Sequence, residues 1–358
     1  MKVLVTANLV PFMRGGADYH IEGVTRALRQ HGHEVELLRL PFRFQPESDI
    51  RNAMNYAETL DFTAPNGVAI DKVISLQFPG YGVQHPDHVV WVMHQHRAVY
   101  ELWEYEEEGG SGQDKPGKGD QPSAAQRELR DAIHAYDNRH LARASRLFAN
   151  SRRVAERLAH YNDLAATPLY HPPFDAERFY CDEDWGYVFC PSRLESLKRQ
   201  DLLIEAARHL KTPARILIAG DGGQRGRYQQ LIERYRLQDR VRLTGRFSEA
   251  EKRAWYAHAL AVFFGPRDED YGYITLEAML SGKPVITCED SGGPREFVEH
   301  DETGWVLPAE PEAIAAAIDE AWANRARSAE MGRAGQAAYY RAGIGWPQVV
   351  ATLLGEGT

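Results

Sequence analysis

"YVFCPSRLESLKRQDLLIEAARHLKTPARILIAG", residues 187–220, is the stretch on which the fold turns. It opens on a short apolar run, 187–190, and closes on another, 214–220, each bounded by loop residues. Between them Leu202, Leu203 and Ala206 mark the apolar side of a helix expected around 200–210. Strand–helix–strand alternation of this kind argues for a parallel sheet with helices on both faces.

The same rhythm runs in both directions. Upstream, strands are expected at 2–7, 34–40, 71–76, 88–93 and 145–150. A helix within 15–33 carries Ile21, Val24 and Leu28 at helical spacing. Downstream, helices are expected around 225–236 and 248–259 and from about 273 and 293, with strands at 240–245, 261–265, 283–287 and 304–308. Between the two series lies "TPLYHPPFDAERFY" (167–180), whose three prolines and few helix signals read as a hinge. The expected organisation is two α/β domains, 1–172 and 173–343, then a segment 344–358. The apolar helix in that segment, 346–356, follows a completed second sheet, so it is expected to pack back on the first domain.

A chain of 358 residues is long for one core and comfortable for two. Its 42 basic and 51 acidic residues leave a formal charge of −9, which gives no general attraction for nucleic acid. Any anionic ligand must then be held by a few placed cations. Cys181, Cys190 and Cys288 are odd in number and lack a CxxC spacing, which suits a reduced, cytoplasmic compartment. The opening apolar run is broken by Thr6, Asn8 and Pro11, so it reads as a buried strand rather than a membrane span. Six arginines in 139–161 read as a solvated helix face, with peripheral contact to the anionic inner face of a membrane as the alternative. The Gly-, Pro- and charge-rich segment 104–124 reads as a loop, either a plain insertion or a gate.

In open parallel sheets ligands sit outside the carboxyl ends of the strands, and the suggestive residues fall there. "GGA" (15–17) follows the first strand and is either a tight turn or a backbone approach to an anion. No GxGxxG accompanies it, so no NAD site is expected. Arg193 and Lys198 follow the strand at 187 and together suit a diphosphate; singly, each is as easily a solvated loop cation. "DEDYGYITLEAML" (268–280) sets Glu269 and Glu277 eight positions apart. In one continuous helix they would point roughly 80° apart, but Gly272 suggests a loop first and a helix beginning near Tyr273. Each carboxylate then suits a pair of sugar hydroxyls, or is an ordinary surface carboxylate beside a capped helix, and the N–H groups of Gly272, Tyr273 and Ile274 suit a phosphate. His94 ends a strand of the first domain; with His96 it is too sparse a set for a metal. No GxSxG elbow or Cys–His pair is present.

With these residues in place, the sequence resembles the family 4 retaining glycosyltransferases of the GT-B fold. The likeness is carried by "GGADYHIEGVTRALRQHGHEV", "SRLESLKRQDLLIEAA", "ILIAGDGG", "VRLTGRFSE", "EDYGYITLEAMLSGKPVIT" and "GGPREFVEHDETGWVLP", in that order. The resemblance implies two Rossmann-like domains facing across a cleft. It also implies a nucleotide-sugar donor; UDP is favoured over GDP, and with no acidic metal-binding pair evident no metal or other cofactor is expected. The acceptor it implies is a hydroxyl on a saccharide, a lipid-linked sugar or a small molecule. By the same resemblance Arg193 and Lys198 hold the diphosphate, Glu277 the ribose, and Glu269 the donor sugar. Gly272, Tyr273 and Ile274 touch sugar and phosphate, Phe247 lies beside the base, Gly16 closes on the diphosphate, and His94 sits beside the reacting carbon. Asp270 and Tyr271 stand where the family has a small-then-aromatic pair, and "HQHR" (94–97) replaces a simpler His-Asp. The alternatives are a phosphorylase or nucleotide-sugar epimerase on the same fold, or a catalytically silent scaffold subunit.

Overall fold

The computed structural model describes residues 1–12, 15–107 and 122–356. Among them twelve strands form two six-stranded sheets in which every pairing is parallel. The first contains β1 (Lys2–Leu9), β2 (Glu34–Pro41), β3 (Lys72–Ser75), β4 (His88–Val92), β5 (Arg146–Ala149) and β6 (Thr167–Pro168), in the order β2-β1-β3-β4-β5-β6. The second contains β7 (Tyr187–Pro191), β8 (Arg215–Ala219), β9 (Val241–Leu243), β10 (Ala261–Phe263), β11 (Val285–Cys288) and β12 (Gly304–Leu307), in the order β12-β11-β10-β7-β8-β9. The central strands are buried on both faces, which is why they read as unbroken apolar runs.

The chain reverses its direction of travel once in each sheet. In the second sheet it moves outward from β7 through β8 to β9, then returns to lay β10 on the other side of β7. The β7/β10 boundary is therefore a topological switch point, where the loops leaving two neighbouring strands diverge and open a crevice. In the first sheet the β1/β3 boundary plays that part.

The chain divides into two compact units, Met1–Phe174 with Gly345–Thr358, and Asp175–Ile344. The last helix, Trp346–Leu354, places Val349, Val350, Leu353 and Leu354 in one apolar cluster with Ile21, Val24 and Leu28 of the helix Gly16–Gln30. The approach is close at Gly23, where a Cβ would stand 2.3 Å from Cζ2 of Trp346. Arg146 ties down the far end: its guanidinium donates to the carbonyls of Thr352 (2.7 Å) and Leu353 (2.6 Å), two of the acceptors a helix C-terminus leaves open.

Three expectations need correction. The arginine-rich stretch 139–161 is not one helix face. It comprises the end of the helix Ala124–Leu141, then β5, then the helix Arg152–Asn162. Its arginines diverge accordingly: Arg139 pairs with Glu58, Arg146 caps the last helix, and Arg157 is buried beside Glu101. The helix expected from about 293 is only a single 3-10 turn, Gly293–Glu296. Of the segment 104–124, residues 108–121 lie outside the described residues, while 104–107 complete the helix Glu101–Glu107. Among the described residues no helix is long and apolar enough to cross a membrane.

Candidate active site

The second unit gathers most of the candidate residues around its switch point. The loop after β7 carries Arg193 and Lys198 and is braced by the loop after β8. Ser192 N–H donates to the Ala219 carbonyl (2.9 Å) and Leu194 N–H to that of Asp221 (3.1 Å). Gly220 permits this contact, since a Cβ there would lie 1.9 Å from the Ser192 carbonyl oxygen. The "GDGG" run at 220–223 thus serves to seat the cation-bearing loop. Arg193 holds an exposed guanidinium with no partner among the described residues.

Lys198 is mostly buried and forms an ion pair with Glu269, which lies on the loop after β10. The pair therefore spans the switch point, one partner from each diverging loop. The Lys198 ammonium also lies 5.7 Å from the centre of the Phe264 ring, within cation–π range. Backbone bonds fix the acidic partner: Glu269 N–H donates to the Ser291 carbonyl (2.9 Å), and Gly293 N–H to that of Glu269 (2.8 Å). Next to Lys198, Arg199 forms a fork on Asp290 (2.8 and 2.6 Å) and also donates to the carbonyls of Gly265 and Pro266 (2.9 Å each). Arg199 thereby joins the loops that follow β7, β10 and β11.

The helix Tyr273–Leu280 begins where the sequence predicts it. Gly272 enters it at φ 84, a left-handed conformation that side chains resist, and accepts the first turn's bond from Thr275 N–H (3.0 Å). Glu277, on the second turn, is only 6% exposed. Its Oε1 accepts from Lys252 Nζ (2.8 Å) and its Oε2 from the Tyr256 hydroxyl (2.8 Å). Burial alone would weaken the Lys252 proton's hold, but Glu277 and Glu249 outweigh it and keep that ammonium above the ordinary lysine range. Both donors come from the helix Glu249–Ala257, which Ser248 and Glu251 cap reciprocally. Phe247, one residue before that cap, is half-buried against Trp255.

The first unit places Gly16 and His94 after strands of its own sheet. Gly16 opens its helix, and the preceding turn is held by Asp18, which accepts from Gly15 N–H (3.1 Å) and pairs with Arg39 (2.7 Å). His94 sits just past β4 with Nδ1 2.7 Å from the Gln95 carbonyl oxygen. Because a carbonyl only accepts, that nitrogen carries a proton, and in the neutral ring Nε2 is the acceptor. His96 stacks in an aromatic group with Phe44 and Phe78 instead. Among the described residues no group of three or more His, Cys, Asp or Glu could hold a metal ion.

Residues 177–338 match the family described as glycosyl transferases group 1. Over both units the fold is shared with sucrose-phosphate synthase from Thermosynechococcus elongatus, at TM-score 0.77, 18% identity and coverage of 99% of this chain and 98% of that one. The chain thus has the GT-B fold, and its segment 177–338 resembles the group 1 glycosyl transferases. Another GT-B neighbour is Anabaena HepE in complex with UDP and glucose, at TM-score 0.69 and 18% identity, covering 99% and 98% of the two chains. Curated relatives include a D-inositol 3-phosphate glycosyltransferase of Xylanimonas cellulosilytica, 27% identical over 185 residues, or 50% of this chain and 43% of that protein. A human alpha-1,3/1,6-mannosyltransferase is 28% identical over 162 residues, 41% and 39% of the two chains. The chain thus spans less than half the length of these curated relatives.

Of this candidate site, sequence reading reached Lys198, Glu269 and Glu277 but missed the groups that hold them. Lys252, Tyr256, Arg199 and Asp290 were not singled out. Lys252 and Tyr256 lie four apart on one helix, a spacing that puts both on one face, and this was the available signal. For Arg199 there was none, because its partners come from loops 66 to 91 residues away.

Proposed function

We propose that the protein transfers a hexosyl unit, with retention at the anomeric carbon, from a nucleoside diphosphate sugar to an acceptor hydroxyl. UDP-sugars are the favoured donors. The observation that carries the reading is the Lys198–Glu269 pair across the β7/β10 switch point, with the Gly272-headed helix leaving the same loop. A cation, a carboxylate and a helix N-terminus at one crevice suit a diphosphate joined to a polyhydroxyl ring. The relatives named as glycosyltransferases and the neighbour bound to UDP and glucose support the same class.

In this reading the bond from C1 to the diphosphate oxygen breaks as C1 bonds to the acceptor oxygen on the same face. The acceptor proton passes to the departing diphosphate. Arg193, Lys198 and the N–H groups at the head of the helix stabilise the charge that develops there, which makes metal unnecessary. Glu269 orients the donor sugar, Glu277 the ribose, and Phe247 borders the base. Gly16 closes on the diphosphate, and His94 lies beside the reacting carbon. The acceptor is a saccharide, lipid-linked or small-molecule alcohol.

Thermal unfolding with UDP, GDP, ADP and their sugars, and NAD as control, tests the donor class. A ligand that binds only the native state adds about 2.7 kcal/mol at 100 times its Kd. A shift with one nucleoside diphosphate and none with NAD is expected; no shift with any would sink the proposal. Turnover with the matching sugar should persist in EDTA and give product of unchanged anomeric configuration by NMR.

A further inference from the structure

Glu277 is held more tightly than hydroxyl recognition alone requires. An ionised carboxylate offers about four acceptor directions, two on each oxygen. Here one direction on Oε1 is taken by Lys252 Nζ and one on Oε2 by the Tyr256 hydroxyl, each at 2.8 Å. One direction on each of the two neighbouring oxygens is left. That is the acceptor pattern complementary to two adjacent hydroxyl groups.

The donors themselves are fixed. Lys252 is 5% exposed and its Nζ also lies 2.9 Å from a Glu249 carboxylate oxygen. The ring of Tyr256 is fully buried, edge-on to Phe179 and Phe189. A buried ion pair is weak support for stability, since apolar replacements often serve as well. The arrangement therefore calls for another use, and its setting supplies one. The Lys252 helix starts just after Phe247, and the Glu277 helix starts at the switch-point loop.

We infer that Lys252 and Tyr256 are positioning residues that aim the Glu277 carboxylate at the vicinal 2′- and 3′-hydroxyls of a ribose, making the site selective for ribonucleotides. This rests on the nucleoside diphosphate reading above. Lys252 holds Oε1 and balances the buried charge; Tyr256 holds Oε2 and stops the carboxylate from rotating. Neither touches the ligand.

The test is calorimetric binding of UDP, 2′-deoxy-UDP and 3′-deoxy-UDP, with GDP, ADP and their deoxy forms in parallel. The proteins are the wild type, Lys252→Met and Tyr256→Phe. The wild type is expected to prefer the ribonucleotide at least tenfold. In each variant that preference should collapse toward unity, through weaker binding of the ribonucleotide and little change for the deoxy forms. A merely structural role would weaken all three ligands alike and leave the ratio intact, which overturns the inference. Should Lys252→Met fail to fold, Tyr256→Phe decides alone, since it removes one oxygen and keeps the ring. A wild type that binds UDP, GDP or ADP without discriminating overturns this inference and leaves the donor reading standing. A wild type that binds none of UDP, GDP and ADP overturns both.

Discussion

Lys198 divides its charge between a carboxylate and an aromatic face, and both partners come from the loop after β10. In the proposed reaction an ammonium fixed in this way is already in place when negative charge develops on the diphosphate, which is the condition for electrostatic catalysis. Removing one such donor typically costs about 2.7–4 kcal/mol. Lys198→Ala and Arg193→Ala should therefore each lower kcat by roughly 10²–10³-fold. Steady-state kinetics with the best donor checks this, and near-normal turnover in either variant removes that residue from the mechanism. Lys198 and Glu269 were legible in sequence because each falls just after a strand, where a parallel sheet exposes its loops. Lys252 was not: it stands 25 residues before Glu277, and a lysine in a capped, charged helix looks solvated until the fold buries it.

At the scale of elements, the strands were the most legible part, because double-faced burial writes them as apolar runs. Errors came where tertiary bonds override local pattern. The backbone at 291–293 bonds to Glu269, and Glu299 N–H donates to the Thr303 hydroxyl (2.9 Å) rather than to a carbonyl one turn back, so the helix expected there is a single turn. The arginines of 139–161 share a composition but not an element. Helix-to-helix contact offers a clean test. Gly23 faces Trp346 with no room for a methyl group, a Cβ contact of 2.3 Å. Gly23→Ala should destabilise the protein despite alanine's better helix propensity, by about 1–3 kcal/mol from overpacking. Urea unfolding checks the sign: a gain in midpoint would mean that the last helix is not seated as described.

For the molecule as a whole, buried titratable groups set the pH response. Burial pushes His88 down to about 4 and His171 to about 3, and it also lowers His20. These rings stay neutral in the folded chain, while unfolded histidine takes a proton near pH 6.5. The unfolded state therefore binds more protons as pH falls below about 6.5, and stability drops; by pH 4, His88 alone accounts for a loss on the order of 3 kcal/mol. Asp137 works the other way. It accepts from Tyr81 (2.6 Å) and Tyr100 (2.7 Å), and burial pushes it up to about 7. The folded chain there holds its proton longer than the unfolded one, so this group's share of stability falls as pH rises from about 4 to 7. Melting curves across pH 4–8 should show the acid loss in the wild type. Asp137→Asn should be less stable than wild type at pH 4, with the gap narrowing toward pH 7. A gap of constant size would show that Asp137 does not titrate in this range.

The return of the last helix to the first unit has a consequence for biosynthesis. At roughly 5–20 residues per second, a ribosome needs about 9–36 s to travel from Phe174 to Leu354. Throughout that interval Ile21, Val24 and Leu28 lack the apolar cover that Val349, Val350 and Leu353 later supply. The inserted unit, Asp175–Ile344, has all its own strands by then and can fold while its predecessor waits. The half made first is thus the half finished last. A nascent chain stalled before residue 346 should offer that uncovered helix face to chaperones, and one stalled far enough beyond it to free the last helix should not.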